Sequence, residues 1–131
     1  MNHQLTITVH SELYAICRLE PDTEVPAWAV GKNFFTLSRT KTELSLVCEE
    51  KEVPLETHAE RNRRLLQVEG TLAFTLTGIL AAITVPLAEA AISIFAVSTY
   101  DTDYVLVNDS DLENATAVLE RAGHAIQRMA G

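Results

Sequence analysis

Two short segments of this sequence carry residue types that suit the binding of a small charged molecule. The first is Thr75-Leu-Thr-Gly78-Ile79, and the second is Ser98-Thr-Tyr-Asp-Thr-Asp103. Backbone N–H groups at the start of a helix bind carboxylates, and a glycine lets a ligand approach the backbone closely. A carboxylate at Asp101 or Asp103 would hold an ammonium group, with Tyr100 covering the side chain. Together these groups suit an α-amino acid.

The same residues also have a purely structural interpretation. Thr and Asp are frequent in tight turns because their side chains bond to the neighbouring backbone, and Thr before Gly is an ordinary start to a helix. The local pattern leaves both interpretations open. A third possibility is an interaction protein that dimerises through its sheet edges and binds no small ligand, because the fold alone does not assign function.

Histidine and cysteine are the other residues that could carry catalysis or bind a metal. They show no metal-ligand spacing, the cysteines lie within apolar runs as core thiols do, and no nucleophile motif or glycine-rich phosphate loop occurs. The residues are His3, His10, His58, His124, Cys17 and Cys48. The sequence therefore predicts a non-catalytic protein with no catalytic residues, no metal and no cofactor.

Composition excludes several classes of partner. The chain has 131 residues, 47% of them hydrophobic, and a formal charge of −8, which repels nucleic acid and anionic lipid. The basic cluster Arg61, Arg63 and Arg64 follows an acidic stretch and predicts a solvated mixed-charge surface. The apolar stretch 78–97 contains Pro86 and Glu89, which argues against a membrane span. With no secretory signal pattern, we expect a cytoplasmic protein with reduced thiols.

The first half of the sequence predicts short strands. A turn at Arg39–Thr42 indicates a hairpin, Pro26–Val30 has room for one or two helical turns with Trp28 over the core, and Glu49–Arg64 is expected to be mostly a connection. The strand candidates are Leu5 to Val9, Tyr14 to Leu19, Phe34 to Leu37, Leu44 to Cys48 and Leu65 to Glu69.

The second half predicts two helices and three further strands. In the first helix Thr77 is a candidate cap and Pro86 is expected to bend or split the helix. In the second helix Ser110 with Glu113 forms a capping box and Gly123 provides a left-handed stop. The apolar stripes are Ile79, Ile83, Leu87 and Ala91 for the first helix, and Leu112, Ala115, Leu119 and Ala122 for the second. The strands are Ile92–Val97, Tyr104–Val107 and Ala125–Met129, which predicts an α+β fold with a ferredoxin-like β-α-β-β-α-β unit.

An internal similarity occurs at an offset of 60 residues. Aligning 26–47 on 86–107 gives six identities in 22 positions, including Pro26 with Pro86 and Phe35 with Phe95, and it keeps the acidic residue of the turn as Glu43 and Asp103. Two hairpins of similar composition would also share some residues. The common offset favours two related modules, of which the first has the shorter helix.

The run from Ala90 to Val107, together with Leu76-Thr-Gly-Ile-Leu-Ala-Ala82, resembles the ACT-domain family. The resemblance is to its small tandem branch, similar to the modules of the arginine sensor CASTOR and the regulatory domains of aspartate kinase. It covers Leu65 to about Gly123 well, while Leu5 to Cys48 resembles the divergent first module of that branch. The branch tends to have Gly where this sequence has Ala91.

The resemblance implies a regulatory β-α-β-β-α-β module that binds small ligands, usually amino acids, at module or subunit interfaces. By position, ligand-binding segments of the family fall on Leu76, Gly78, Ile79, Thr99, Tyr100 and Asp103. We therefore expect a divergent ACT-like module at residues 1–60 and a complete one at 61–131. We also expect a homodimer, because edge strands of this fold pair across subunits, that senses an amino acid for a regulated protein.

Overall fold

The computed structural model describes residues 3–73 and 76–129, and this part of the chain folds as two compact units. The larger unit consists of residues up to Ser11 and from Arg64 onward, and the smaller unit consists of Glu12–Arg63. The expected division after residue 60 falls inside a strand, and the N-terminal residues belong to the same unit as the second half of the chain.

The smaller unit is built on four strands in the order β2-β3-β1-β4, and two of these strands also run into the larger unit. The strands are β1 (Thr6–Leu19), β2 (Thr36–Arg39), β3 (Leu44–Glu49) and β4 (Ala59–Val68). The hairpin of β2 and β3 is confirmed, with Leu37 paired to Leu46 and Thr40 N–H bonded to the Glu43 carbonyl.

Two expectations for this half need correction, and a third is confirmed. The two strands expected at Leu5–Val9 and Tyr14–Leu19 are one strand of 14 residues, which pairs with β7 at its start and with β3 at its end. The stretch expected to be mostly a connection contains a single 3-10 turn, Glu50–Glu52, and the first half of β4. The helical turn near Trp28 is a 3-10 turn, Ala27–Ala29, and Trp28 packs partly buried against the core as expected.

The smaller unit has its own hydrophobic core. The buried residues of this core are Ala15, Cys17, Ala29, Leu44, Leu46, Cys48 and Val53. Cys17 and Cys48 are buried free thiols, which confirms their interpretation as core residues. The three arginines expected on a mixed-charge surface have acceptors nearby: Arg61 donates to the Pro54 carbonyl, Arg63 to Glu60 and, in the larger unit, Arg64 to Asp109.

The larger unit contains the expected order of elements along the chain, from β4 to the last strand. The elements after β4 are α1 (Ile79–Glu89), β5 (Ile94–Ser98), β6 (Asp103–Asn108), α2 (Leu112–Arg121) and β7 (Ala125–Arg128). The strand order in this unit is β7-β1-β4-β6-β5, with β7 parallel to β1 through the pair Thr6 and Ala125. In this order β1 lies between β7 and β4, a position that the expected β-α-β-β-α-β unit does not contain, and the ferredoxin-like arrangement stays a prediction.

One face of each helix packs on the sheet of the larger unit. Ile79, Ile83 and Leu87 are buried in α1, and Leu112, Ala115 and Leu119 are buried in α2, as their spacing predicts. The last residue of each expected stripe, Ala91 and Ala122, is instead exposed, because each helix ends before it or at it. No helix in the described ranges is both long and apolar enough to cross a membrane.

The two expected N-terminal caps are wrong. Gly78, with φ of 82°, occupies the cap position of α1, and Thr77 is one residue too early. The expected capping box of Ser110 and Glu113 is absent, because residues 109–111 form a 3-10 turn in which Ser110 N–H donates to the Asn108 side chain. The C-terminal stop at Gly123 is confirmed by its φ of 104° and by the bond from His124 N–H to the Leu119 carbonyl.

Pro86 does not split α1, which runs unbroken from Ile79 to Glu89. Proline lacks the N–H that would bond the carbonyl four residues earlier. That carbonyl belongs to Ala82, and it bonds instead with the ring of His124. A partner from another element therefore satisfies the group that the proline leaves unpaired.

The two hairpins related by the internal similarity do not pair in the same register. Leu46 of β3 faces Leu37, whereas Leu106 of β6 faces Phe95, two residues earlier than the alignment implies. A shift of two residues keeps each side chain on the same face of its sheet. The origin of the hairpins as a tandem repeat stays a prediction.

Candidate functional site

The turn between β5 and β6 is held by its own side chains. Ser98 Oγ donates to Asp103 Oδ1 at 2.6 Å, and Thr99 Oγ1 donates to the Thr102 carbonyl at 3.1 Å. Thr102 is buried, and its hydroxyl donates to the Val68 carbonyl at 2.7 Å. The turn is thus anchored to β4, and the structural interpretation of Thr99 agrees with its contacts.

Asp103 keeps capacity for a further partner. An ionised carboxylate has about four acceptor positions, and the Ser98 hydroxyl occupies one of them. Asp103 is partly exposed, while its neighbours Tyr100 and Asp101 are exposed. A cation that approached this end of the hairpin would therefore meet two acidic residues.

The segment before α1 lies beside this turn. Leu72 N–H donates to the Asp101 carbonyl at 2.7 Å, so the segment that follows β4 is bonded to the turn between β5 and β6. At the other end of this segment, Ile79 is the first residue of α1. The cap position before it is held by Gly78, which has no side chain to bond the first N–H groups of the helix. Helix starts leave their first backbone N–H groups without intrahelical partners, so this end of α1 offers donors to an anion. Thr75, named with this segment by the sequence, lies outside the described residues.

Five of the six residues expected to bind ligand line one cavity of about 130 Å³, which we call the turn cavity. These are Leu76, Ile79, Thr99, Tyr100 and Asp103. Sequence reasoning did not single out Leu72, Ala73 and Thr102 as lining residues, although Thr102 lay inside a named segment. Asp101, proposed as an alternative to Asp103, also lines it.

Gly78, the sixth residue, does not line the turn cavity. It lines a separate cavity of about 360 Å³ that also includes His3, Pro86 and His124. The His3 ring approaches within 3.6 Å of where a Gly78 side chain would begin, and His3 Nε2 bonds the Thr77 carbonyl at 2.8 Å. The positive φ explains why a glycine occurs at position 78. The side chain that approaches this glycine closely is His3, which does not line the turn cavity.

The turn between β5 and β6 has negatively charged side chains around it. Burial raises the pKa of Tyr104, and the negative charges of Asp101 and Glu69 raise it further. The phenol therefore stays neutral and adds no charge at neutral pH. Acidic side chains near the turn favour a cationic group there. Among the described residues, no cluster of His, Cys, Asp and Glu has the arrangement of a metal site.

Sequence reasoning missed a second group of residues, in the smaller unit. Trp28, Phe34 and Phe35 line a cavity of about 310 Å³ together with Glu49 and Lys51. The available signal was three aromatic residues within eight positions, near a strand that ends in an acidic residue. The register of β3 in the fold brings Glu49 to this group, so the signal was weak in the sequence.

Comparisons with known proteins agree with the fold. A model of the ACT domain matches residues 58–121, and a model of an N-terminal domain matches residues 12–56. A structural genomics target from Agrobacterium tumefaciens is 33% identical, with a TM-score of 0.93, over 98% of this chain and 96% of that chain. No curated protein is significantly similar to the sequence.

Two more distant structures share the fold. A protein from Vibrio cholerae described as a possible transport protein is 19% identical, with a TM-score of 0.71, over 92% of this chain and 91% of that chain. The regulatory subunit of aspartate kinase from Thermus flavus is 10% identical, with a TM-score of 0.64, over 92% of this chain and 99% of that chain. The match of residues 58–121 to the ACT-domain model shows that the chain belongs to the ACT-domain family.

Proposed function

We propose that this chain is a non-catalytic regulatory protein that binds an amino acid or a similar small zwitterion in the turn cavity. The observation that carries the proposal is that Asp103 and Ile79, from two separate segments, line one cavity. An acidic side chain and the start of a helix then lie on the same small volume. The ACT-domain match supports a regulatory role that depends on a small ligand.

Each charged end of such a ligand would have a complementary group. The ammonium group would bond to the Asp103 carboxylate, since charge-assisted hydrogen bonds are the stronger kind. The carboxylate would accept bonds from the first N–H groups of α1, beginning at Ile79. The exposed ring of Tyr100 would lie over the ligand side chain. This arrangement would favour zwitterions over simple amines or acids.

We propose that a second copy of the chain completes the cavity. Pockets for small molecules commonly measure about 300–1,000 Å³, and the turn cavity measures about 130 Å³. In the strand order, β5 has β6 on one side and no strand on the other among the described residues, and its Phe95 is 36% exposed. An open strand edge of this kind pairs readily with another chain. Ligand bound between copies would favour the homodimer, and a regulated protein would read that population.

We place the protein in the cytoplasm, because its two buried cysteines are free thiols, which fits a reducing compartment. The formal charge of −8 argues against nucleic acid and anionic membranes as partners. The regulated protein would be a partner whose state follows that of the homodimer.

A thermal-shift screen against the standard amino acids tests the proposal. A ligand present at 100 times its Kd adds about 2.7 kcal/mol to stability, which raises the melting temperature by several degrees. Asp103→Asn removes the charge but keeps an oxygen for the Ser98 hydroxyl, so we expect it to abolish most of the ligand-induced shift and to leave the unliganded melting temperature nearly unchanged. Asp22→Asn, at an exposed acidic residue of the smaller unit, is the matched control.

Two results would contradict the proposal. Either no amino acid shifts the transition, or a shift occurs and Asp103→Asn leaves it intact. Sedimentation velocity with and without the active amino acid tests the homodimer. A stable dimer with no ligand response favours the alternative of an interaction protein that associates through its sheet edges.

A further inference from the structure

The cavity of the smaller unit, which we call the aromatic cavity, has the features of a second binding site. It measures about 310 Å³ and lies between the 3-10 turn Ala27–Ala29, the residues that follow this turn, and the end of β3. Its walls include Trp28 and Phe35, and its polar and charged lining residues are Lys32, Asn33, Glu49, Lys51 and Glu52. The volume is in the range of pockets that hold small molecules.

The central feature of this cavity is the carboxylate of Glu49. Glu49 pairs with Tyr14 at the end of β3, and this position leaves its side chain only 10% exposed. Asn33 Nδ2 donates to Glu49 Oε1, and Lys51 Nζ lies 3.4 Å from Glu49 Oε2. A buried carboxylate loses its hydration and therefore needs hydrogen-bonding or cationic partners.

The cationic partner that Glu49 has is weakly held. The side chain of Lys51 is 73% exposed. Such an exposed lysine contributes little to an ion pair, because water screens the charge and the long side chain loses freedom when it is fixed. Another cation that enters the cavity could take the place of the Lys51 ammonium with little loss of stability.

We propose that the aromatic cavity binds a small organic cation, namely a primary amine or guanidine with an apolar body. The charged head would displace Lys51 and pair with Glu49, as a charge-assisted hydrogen bond inside a partly dehydrated site. The apolar body would lie against Trp28 and Phe35. Aromatic rings, tryptophan above all, also attract cations through their π-faces.

This site is independent of the turn cavity. All its lining residues lie in the smaller unit, and none of them lines the turn cavity. Its expected ligand also differs, because the aromatic cavity combines a buried carboxylate with aromatic walls, whereas the turn cavity lies at the start of an α-helix. A simple amine is therefore its expected ligand, whereas the turn cavity is expected to prefer a zwitterion.

The only tryptophan of the chain gives a direct readout, because Trp28 lines this cavity. We would titrate the purified protein with 2-phenylethylamine and follow Trp28 fluorescence at constant ionic strength. 2-Phenylethanol, which has the same body without the charge, is the matched neutral compound. We expect a saturable change with the amine and an apparent affinity at least tenfold tighter than for the alcohol.

Two variants separate charge from shape. Glu49→Gln keeps the oxygen that accepts from Asn33 but removes the charge, and it should weaken amine binding at least tenfold while leaving the alcohol unchanged. Lys51→Ala removes the competing ammonium and should tighten amine binding severalfold. Glu24→Gln, at an exposed acidic residue outside the cavity, should behave as the unmodified protein does.

The proposal is overturned if the amine binds no more tightly than the alcohol, or if Glu49→Gln leaves the amine affinity unchanged. Circular dichroism would reveal whether Glu49→Gln folds. If it does not, the ratio of the affinities for the amine and the alcohol, together with the Lys51→Ala variant, still tests the proposal. Trp28 fluorescence reports the aromatic cavity, whereas the Asp103-dependent thermal shift reports the turn cavity. Failure of either proposal is therefore recognisable without the other.

Discussion

His124 Nε2 lies 2.9 Å from the carbonyl oxygen of Ala82, the carbonyl that Pro86 leaves without a helical partner. The other ring nitrogen, Nδ1, accepts a bond from Leu5 N–H at 3.1 Å. Because a backbone N–H can only donate, Nδ1 must be the acceptor and Nε2 must carry the proton. His124 is 5% exposed, so one buried imidazole connects α1 to Leu5, the residue that precedes β1.

This relationship predicts an energetic coupling between His124 and Pro86. His124→Phe keeps a ring but leaves two backbone groups unpaired, and each unpaired buried group costs about 1–3 kcal/mol. Pro86→Ala restores an N–H for the Ala82 carbonyl, so His124→Phe should cost at least about 0.5 kcal/mol less in that background. Urea denaturation of the two single variants and the double variant measures this coupling, and strictly additive free energies of unfolding would show that the bond to Ala82 contributes nothing.

We expect that replacing Ala91 with glycine stabilises the protein. It has a φ of 60° just after α1, where Ile92 N–H bonds back to the Leu87 carbonyl. A left-handed conformation costs an alanine about 1 kcal/mol that a glycine does not pay. Ala91→Gly should therefore raise the free energy of unfolding by about 0.5–1 kcal/mol, measured by thermal or urea denaturation.

Ala88→Gly is the control for this substitution, because Ala88 is an exposed residue within α1. There glycine should destabilise the protein by about 1 kcal/mol, through the lower helix propensity of glycine. If both substitutions destabilise the protein, the left-handed conformation of Ala91 is not a source of strain.

The side chain of Asn108 makes the capping bond that the sequence pattern had assigned to Ser110 and Glu113. Its side-chain oxygen accepts from Ser110 N–H at 3.0 Å and also from the Ser110 hydroxyl at 3.0 Å. Asn108→Ala should therefore cost about 1 kcal/mol, as the loss of a cap usually does. Ser110→Ala keeps the backbone bond and should cost less. Urea denaturation distinguishes this order from that of a capping box, in which Ser110→Ala would be the more damaging change.

The raised pKa of the buried Tyr14 phenol predicts a loss of stability at alkaline pH. Burial raises the pKa of Tyr14 above its ordinary value of 10, and the charges of Glu12 and Glu49 raise it further. Above about pH 10 the unfolded chain releases this proton while the folded chain keeps it, so the free energy of unfolding falls as the pH rises. Below that pH the contribution is fully present.

Tyr14→Phe removes this titration. Between pH 10 and 11 the unmodified protein should lose up to about 1.4 kcal/mol more stability than the variant does. Urea denaturation at pH 8, 9, 10 and 11 measures the difference. A smaller slope should remain in the variant, because the pKa values of Tyr104 and Cys48 are also raised. Parallel curves for the two proteins would contradict the assignment to Tyr14.

The sequence alone determined those features that depend on neighbouring residues. The spacing of Ile79, Ile83 and Leu87 predicted the buried face of α1, and Gly123 predicted the left-handed end of α2. The turn at Ser98–Asp103 and the segment around Ile79 were both identified as candidate parts of a site. Periodicity and turn chemistry act over a few residues, so they are legible without the fold.

Only the tertiary structure decided how distant parts of the chain meet. Leu5 and His124 are separated by 119 positions, yet Leu5 N–H bonds to the same His124 ring that bonds to the Ala82 carbonyl of α1. The same holds for Glu49 and the aromatic residues around Trp28, which strand register and burial bring to one cavity. Such contacts depend on which elements pack together, and packing is a property of the folded chain that no local pattern encodes.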